Sequence, residues 1–575
     1  MRSFKPEDEY PKLHYANSHK SVAEIVEEEF VPGTVHLVDL AGILNVKHND
    51  GVGGKKDVVL IPQPSSNPND PLSWSRRKKE WQFCLLWIWA FLEAASVNWA
   101  GPVWETWTIQ FNCTFFQLNI SSASCFLFLG LGCVFLQPTA MKLGRRFVYL
   151  CGTVLIIVAN IIGSQANTVQ VLYAVNIISG IAAAPVDSLV QISTTDVFFQ
   201  HERATRLSLL TFALYAGSYL GPVACGYIVE KQSWRWCYYY QIIFFGVILV
   251  IQLFCMEDTT FNRPTTALED EQEILRQVVS SIHELSVVGE ETGIDEKLGS
   301  KVHQDDASSP DEDVSANKSL KRTYWQRMHL IEREYTDPRS WFVIFYRPVL
   351  TACFPAIVWG GVVYGVQIMW LSLQATTQSL IYSAPPFNFS TSNVGNTNFS
   401  SLIGAGFGMV FGGQFCDWLT VYLARRNNGI MEPEMRLWCM LGPAFINSAG
   451  LLLYGLGAAY GAHWFVSAGL GMAFIGFGIG SGGAITLTYA IDCYPDMASE
   501  SLVFMLFVRN MVGCGFTFAI QPWLDRCGLK LTTWLMFMLS MVFNLSFLIF
   551  TKWGKQFRRQ TKDKYKKFSN PDFTW

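Results

Sequence analysis

The chain has 575 residues, of which half are hydrophobic, 14% aromatic and only 15% charged, whereas a soluble chain carries roughly a quarter charged residues. Mean hydropathy is +0.22. A formal net charge of -3 suggests no nucleic-acid partner.

Residues 1–79 form an N-terminal segment whose first 70 residues are polar and start with Arg2, Lys5, Glu7, Asp8 and Glu9. They show no cleavable signal sequence, so a mostly disordered segment is expected, with the first apolar run as export signal. Twelve runs follow that can cross a hydrocarbon core of about 30 Å: 81–103, 120–140, 147–165, 170–194, 207–229, 238–256, 347–372, 397–423, 437–459, 464–491, 499–521 and 530–552. They predict an all-α membrane protein with twelve transmembrane helices in two six-helix halves, 80–256 and 341–552. The linker at 257–340 carries Glu269-Asp270-Glu271, Asp305-Asp306 and Asp311-Glu312-Asp313 and reads as solvated and acidic. Residues 553–575 form a basic tail. Duplicated halves around a midplane site are a transporter architecture.

Basic residues fix the expected orientation. Arg76, Arg77, Lys78 and Lys79 precede the first run, Lys142, Arg145 and Arg146 fill the second connection, and Arg425 and Arg426 follow the eighth run. The positive-inside rule places these, and both termini, in the cytoplasm. Sequons at Asn112, Asn119, Asn388 and Asn398 fall near the first and seventh connections, on the other side, where glycosylation is expected. Cysteines lie mostly within the runs, as small apolar residues, and no disulfide framework is predicted. There is no H-E-x-x-H pair, and Gly51-Val-Gly-Gly-Lys55 lacks phosphate-loop spacing, so no enzyme, cofactor, metal or ATP drive is expected.

The fifth run contains Gly217, Gly221, Pro222 and Gly226. Such residues are tolerated inside a membrane only where neighbours satisfy the backbone, which predicts a tightly packed, moving helix. Pro138 and Gly144-Arg145-Arg146 close the second run, and Gly413 to Asp417 with Arg425-Arg426 echo them after the eighth. Together with Trp234-Arg235-Trp236, these residues resemble the major facilitator superfamily and, within it, the fungal twelve-spanner drug:proton antiporter family. Val58 to Pro64, Asn69-Asp70-Pro71-Leu72-Ser73-Trp74-Ser75, Asp196 to His201 and Asp492 to Met497 are similar to its histidinol and polyamine transporter branch. The resemblance implies organic-cation uptake at the plasma membrane by a monomer, with protons as the family's coupling ion. Two departures bear on mechanism: Met141 stands where the loop motif has an acid, and Asn176 where the fourth span has an arginine.

Intramembrane acids are costly and mark function. In the fourth run Asn176, Gly180, Ala183 and Asp187 share a helical stripe with Gln191 beside it, and the small residues predict space above the carboxylate. In the first run Trp89, Glu93 and Trp104 share a face, suited to an ammonium through charge and cation–π contact. The competing role for Trp104 is the interfacial belt. Asn98 lies off that face. Tyr364, Gln367 and Gln374 make a polar stripe on the seventh run, lining a cavity or bonding between helices. Asp417, Asp492 and Arg509 are read as gating or structural ion pairs near cytoplasmic ends. Cation import is thus weighed against proton-driven drug export, which the glycine series favours.

Overall fold

The computed structural model describes residues 31–36, 69–261, 322–331, 339–427 and 430–569. The acidic runs of the linker and the segment Val58 to Pro64 lie outside the described residues. Among those described, eleven helices are long and apolar enough to cross a membrane. The last, Pro495–Gln560, is 66 residues long and breaks at Gly528, where φ is 67°. A Cβ on Gly365 would meet Val512 at 2.8 Å, while Gln367 bonds Asn544 at 2.7 Å. An unbroken helix would hold 512 and 544 about 48 Å apart, so the chain reverses at Gly528 and makes twelve passes.

The first six passes are Arg76–Asn98, Phe115–Leu143, Arg145–Ser164, Val169–Val197, Gln200–Lys231 and Arg235–Cys255. Thr114 and Gln117 form a capping box at the start of the second, and Gly144, at φ 93°, turns the chain directly into the third. After the first, Pro102 sits in a 3-10 turn and redirects the chain into a short helix, Trp104–Gln110.

The seventh pass is Pro355–Tyr382, eight residues later than the sequence predicts. The preceding apolar residues form a separate helix, Trp341–Leu350, and Pro355 opens the span at a position where proline's missing N–H is harmless. The eighth pass ends in the helix Cys416–Arg426, and the ninth and tenth are Pro433–Ala459 and Phe465–Cys493.

Close backbone approach joins the helices within each half. A Cβ on Gly217 would lie 2.1 Å from the Phe91 carbonyl oxygen, and one on Gly221 2.8 Å from that of Ala95, so the predicted glycine series seats the fifth span on the first. Between the halves, the second span meets the eleventh through Gln137 and Ser499 at 2.9 Å. The fifth meets the eighth region where Gly226 faces the Thr391 carbonyl. The two halves echo one another in their ion pairs. Glu80 holds Arg206 at 2.5 and 2.8 Å across the first and fifth spans, and Arg347 holds Glu500 at 3.1 Å between the helix before the seventh span and the eleventh.

An even number of passes puts both chain ends on one side, called here the termini face. Within 1–79 the described stretches are 31–36 and 69–79. Asp70 caps a 3-10 turn at Pro71–Ser73, and β1, Val35–His36, pairs antiparallel with β2, Ile430–Met431. The basic tail is helical over Phe547–Gln560 and Lys562–Ser569. The linker's described ends are also held, since Glu257 takes Lys78 at 2.5 Å and Arg327 at 3.0 Å.

Candidate functional site

Two acids are buried in the first half. Glu93 is 1% exposed, and neither of its carboxylate oxygens accepts a hydrogen bond among the described residues. It lies within electrostatic reach of Cys125 on the second span. One turn earlier, Trp89 is fully buried, packs edge-on against Tyr149 with centroids 5.1 Å apart, and has no acceptor for its indole N–H among the described residues. A carboxylate and an N–H, both unpaired, therefore share one face of the first span. Trp104 does not join them, because the turn at Pro102 places it on the next helix.

Asp187 is in the opposite condition. Arg509 of the eleventh span donates to it through Nη2, and Asn510 donates at 3.3 Å. Arg509 also donates from Nη1 to the Tyr364 hydroxyl at 3.1 Å and lies 4.9 Å from that ring's centroid. Gln191 donates to the Asp187 main-chain oxygen at 3.0 Å. Tyr215 of the fifth span closes the cluster, reaching the Ile479 carbonyl at 3.3 Å. Three spans, the fourth, seventh and eleventh, thus meet at one ion pair across the halves. The placing of Arg509 near a cytoplasmic end is corrected: it sits about three turns inside its helix and binds across the halves.

The open space expected along the fourth span is also corrected. A Cβ on Gly180 would stand 2.5 Å from the Cys125 carbonyl oxygen, and one on Gly132 would stand 2.7 Å from Ala184. The small residues admit the second helix. Asn176 donates to Ser121 of that helix at 2.7 Å, and Asn98 donates to Ser218 of the fifth at 3.1 Å. Gln367 is fully buried between Asn447 and Asn544, at 3.0 and 2.7 Å. Gln374 accepts from Ser401 at 3.3 Å and donates to the Met472 carbonyl. Of the seventh-span stripe, only Tyr364 reaches the other half's acid, through Arg509.

On the termini face the motif residues form two unequal networks. In the first half Arg145 pairs with Asp196, while Arg146 spends its guanidinium on the carbonyls of Met328, His329 and Leu253. In the second half Arg436 bridges Asp417 at 2.6 Å and Asp492 at 3.3 Å; the second contact has ion-pair distance without hydrogen-bond alignment. The echo read at Arg425 and Arg426 therefore belongs to Arg436. Met141 supplies no acid to the first network, where Asp258 accepts from the Arg146 main-chain N–H at 3.2 Å.

The sequons divide. Asn112 and Asn388 are exposed, but Asn119 is 1% and Asn398 3% exposed, both within helices, and Asn398 donates to Gln378 at 2.8 Å. A buried amide inside a helix is closed to glycan transfer, which corrects the expectation at those two positions. Sequence reasoning passed over Asn510, Tyr215 and Arg436. Their signal, a polar side chain in or beside an apolar run, is present but names no partner.

Residues 86–517 match the Major Facilitator Superfamily. An uncharacterized MFS-type transporter of Schizosaccharomyces pombe is 30% identical, with 94% of this chain and 95% of that one covered. Protein HOL1 of Saccharomyces cerevisiae is 28% identical over 93% and 97% of the two chains. Among solved structures, the proton:xylose symporter XylE superposes with a TM-score of 0.56 at 11% identity, over 83% of this chain and 97% of that one; this likeness speaks to the fold alone. With twelve helices in two echoing halves and a family match across both, the chain belongs to the major facilitator superfamily and is a membrane transporter.

Proposed function

We propose that this transporter carries organic cations, polyamines or histidinol-like amines, into the cell across the plasma membrane by alternating access. Glu93 carries the reading. A buried carboxylate without hydrogen bonds costs several kcal/mol of lost solvation, and an ammonium donating to its oxygens would offset that cost. The Trp89 ring, one turn away, adds cation–π attraction of about 0.5–2 kcal/mol if the cation reaches its face. Asn176, in place of an arginine, spares an incoming cation one repulsive charge. Asp187, Arg509 and Tyr364 form the joint between the halves.

The membrane potential suffices as a drive. Each positive charge entering a cell 100 mV negative inside gains about 2.3 kcal/mol, so a trivalent amine gains about 7 kcal/mol. The basic loops put the termini face in the cytoplasm, which leaves exposed Asn112 and Asn388 outside as glycosylation sites. A second reading, proton-coupled drug export, is favoured by the seating of Gly217 and Gly221 against the first span. Accumulation of labelled spermidine and histidinol in yeast lacking its own polyamine importers distinguishes the two. Saturable accumulation supports import. Drug resistance without amine accumulation, from protein at the cell surface, supports export.

A further inference from the structure

Among the described residues of the N-terminal region, Val31–His36 is the part seated on the second half of the molecule. Pro32 and Gly33 occupy the centre of a turn closed by the Thr34 N–H donating to the Val31 carbonyl at 3.2 Å, with Gly33 at φ 77°, as a Pro-Gly type II turn requires. The turn presses on the end of the tenth span. A Cβ on Gly33 would lie 2.3 Å from the Asp492 carbonyl oxygen and 2.9 Å from the Cys493 Cα. Val31 is 5% exposed. Beyond the turn, β1 adds to β2 in the connection between the eighth and ninth spans, the geometry by which extended peptides dock on a free edge.

Arg558 links these contacts. It is fully buried on the helix after the twelfth span, and its Nε and Nη2 donate to Glu434 at 2.9 and 2.6 Å. Its Nη1 donates to the Pro32 carbonyl at 2.5 Å and to the Thr34 hydroxyl at 3.1 Å. The strap therefore supplies the acceptors that Glu434 leaves wanting. A buried charged donor left without an acceptor is strongly unfavourable. Three separate pieces of the second half converge here: the 430–434 connection, the end of the tenth span and the tail helix. Asp492, on whose carbonyl Gly33 rests, is also an arm of the Arg436 network.

We infer that Val31–His36 is an intramolecular ligand of the second half, a strap that fastens the end of the tenth span to the tail helix and shields both on the termini face. The 32 residues between 36 and 69 could reach about 110 Å when extended. The strap thus acts through local docking rather than as a short leash between the halves. In a transporter that rocks one half against the other, it makes the termini-face elements of the second half move as one body.

Cys493 reports on docking. It is fully buried beside Gly33, so its modification by a small permeant maleimide, read by mass spectrometry, measures release of the strap. Cys133, fully buried in the first half, is the control for folding. Gly33→Val in the full chain should speed modification of Cys493 about tenfold, the scale of one lost hydrogen bond to a charged group, with Cys133 unchanged. If Cys133 also gains, the variant has misfolded, and a second protein decides: the full chain with a protease site inserted at Gly53, folded first and then cut. Loss of the cut fragment with faster Cys493 labelling, or stable retention of the fragment, supports the inference. Loss of the fragment with Cys493 still protected overturns it, as does unchanged Cys493 labelling in a folded Gly33→Val chain. The readout needs no transported solute, so its failure is separable from that of the cation reading.

Discussion

Glu93 and Asp187 are both carboxylates buried in the first half, and their surroundings could hardly differ more. Asp187 is held by a guanidinium and an amide from the other half, whereas Glu93 has no hydrogen-bond partner among the described residues. The same signal, an acid in an apolar run, has therefore resolved into a committed charge and an open one. A committed charge suits a joint between bodies. An open one suits a ligand that arrives and leaves.

The comparison breaks most visibly through stability. Asp187→Asn strands Arg509 in the interior and should cost about 3–5 kcal/mol, seen as a lowered Tm of the purified protein. Adding Arg509→Gln should recover most of that loss, and a double variant no better than the single would show that the pair does not act as a unit. Glu93→Gln should move stability the other way, with a gain of about 1–3 kcal/mol from removal of an unsatisfied buried charge. A lower Tm for Glu93→Gln would mean that the carboxylate has a structural partner after all.

The seat of the open acid can be tested separately. Gly217→Val should push the first span off the fifth two residues from Glu93, at about 1–3 kcal/mol, because its Cβ would lie 2.1 Å from the Phe91 oxygen. Folded yield in detergent checks this. The smallest effect is expected on the termini face, where Asp417 is a third exposed and solvent screens its pair with Arg436. Asp417→Asn should cost about 0.5 kcal/mol, a shift of at most a few degrees in Tm.

The passes were readable because lipid demands long apolar helices, and eleven of twelve fall close to their predicted positions. The seventh slipped because Trp341–Leu350 is as apolar as the span it precedes, so hydropathy alone could not find the break at Pro355. The sites were less readable, since a helical face says which residues align but not what stands opposite. Arg509 lies 322 residues from Asp187, a distance no periodicity bridges. The stripe of Gly180 and Ala183 looks like space in one helix and is filled by the backbone of another. The strap was passed over although Val-Pro-Gly-Thr is a turn signature, because its binding surface is assembled from three distant segments.

The most direct test of the account is uptake of labelled spermidine by wild type and Glu93→Gln in yeast lacking its own polyamine importers, with and without collapse of the membrane potential, at matched surface expression. The account predicts saturable uptake by wild type that falls when the potential is collapsed, and a loss of a hundredfold or more in Glu93→Gln, about 3 kcal/mol or more of charge pairing. Wild-type uptake that persists at full rate in Glu93→Gln would contradict it.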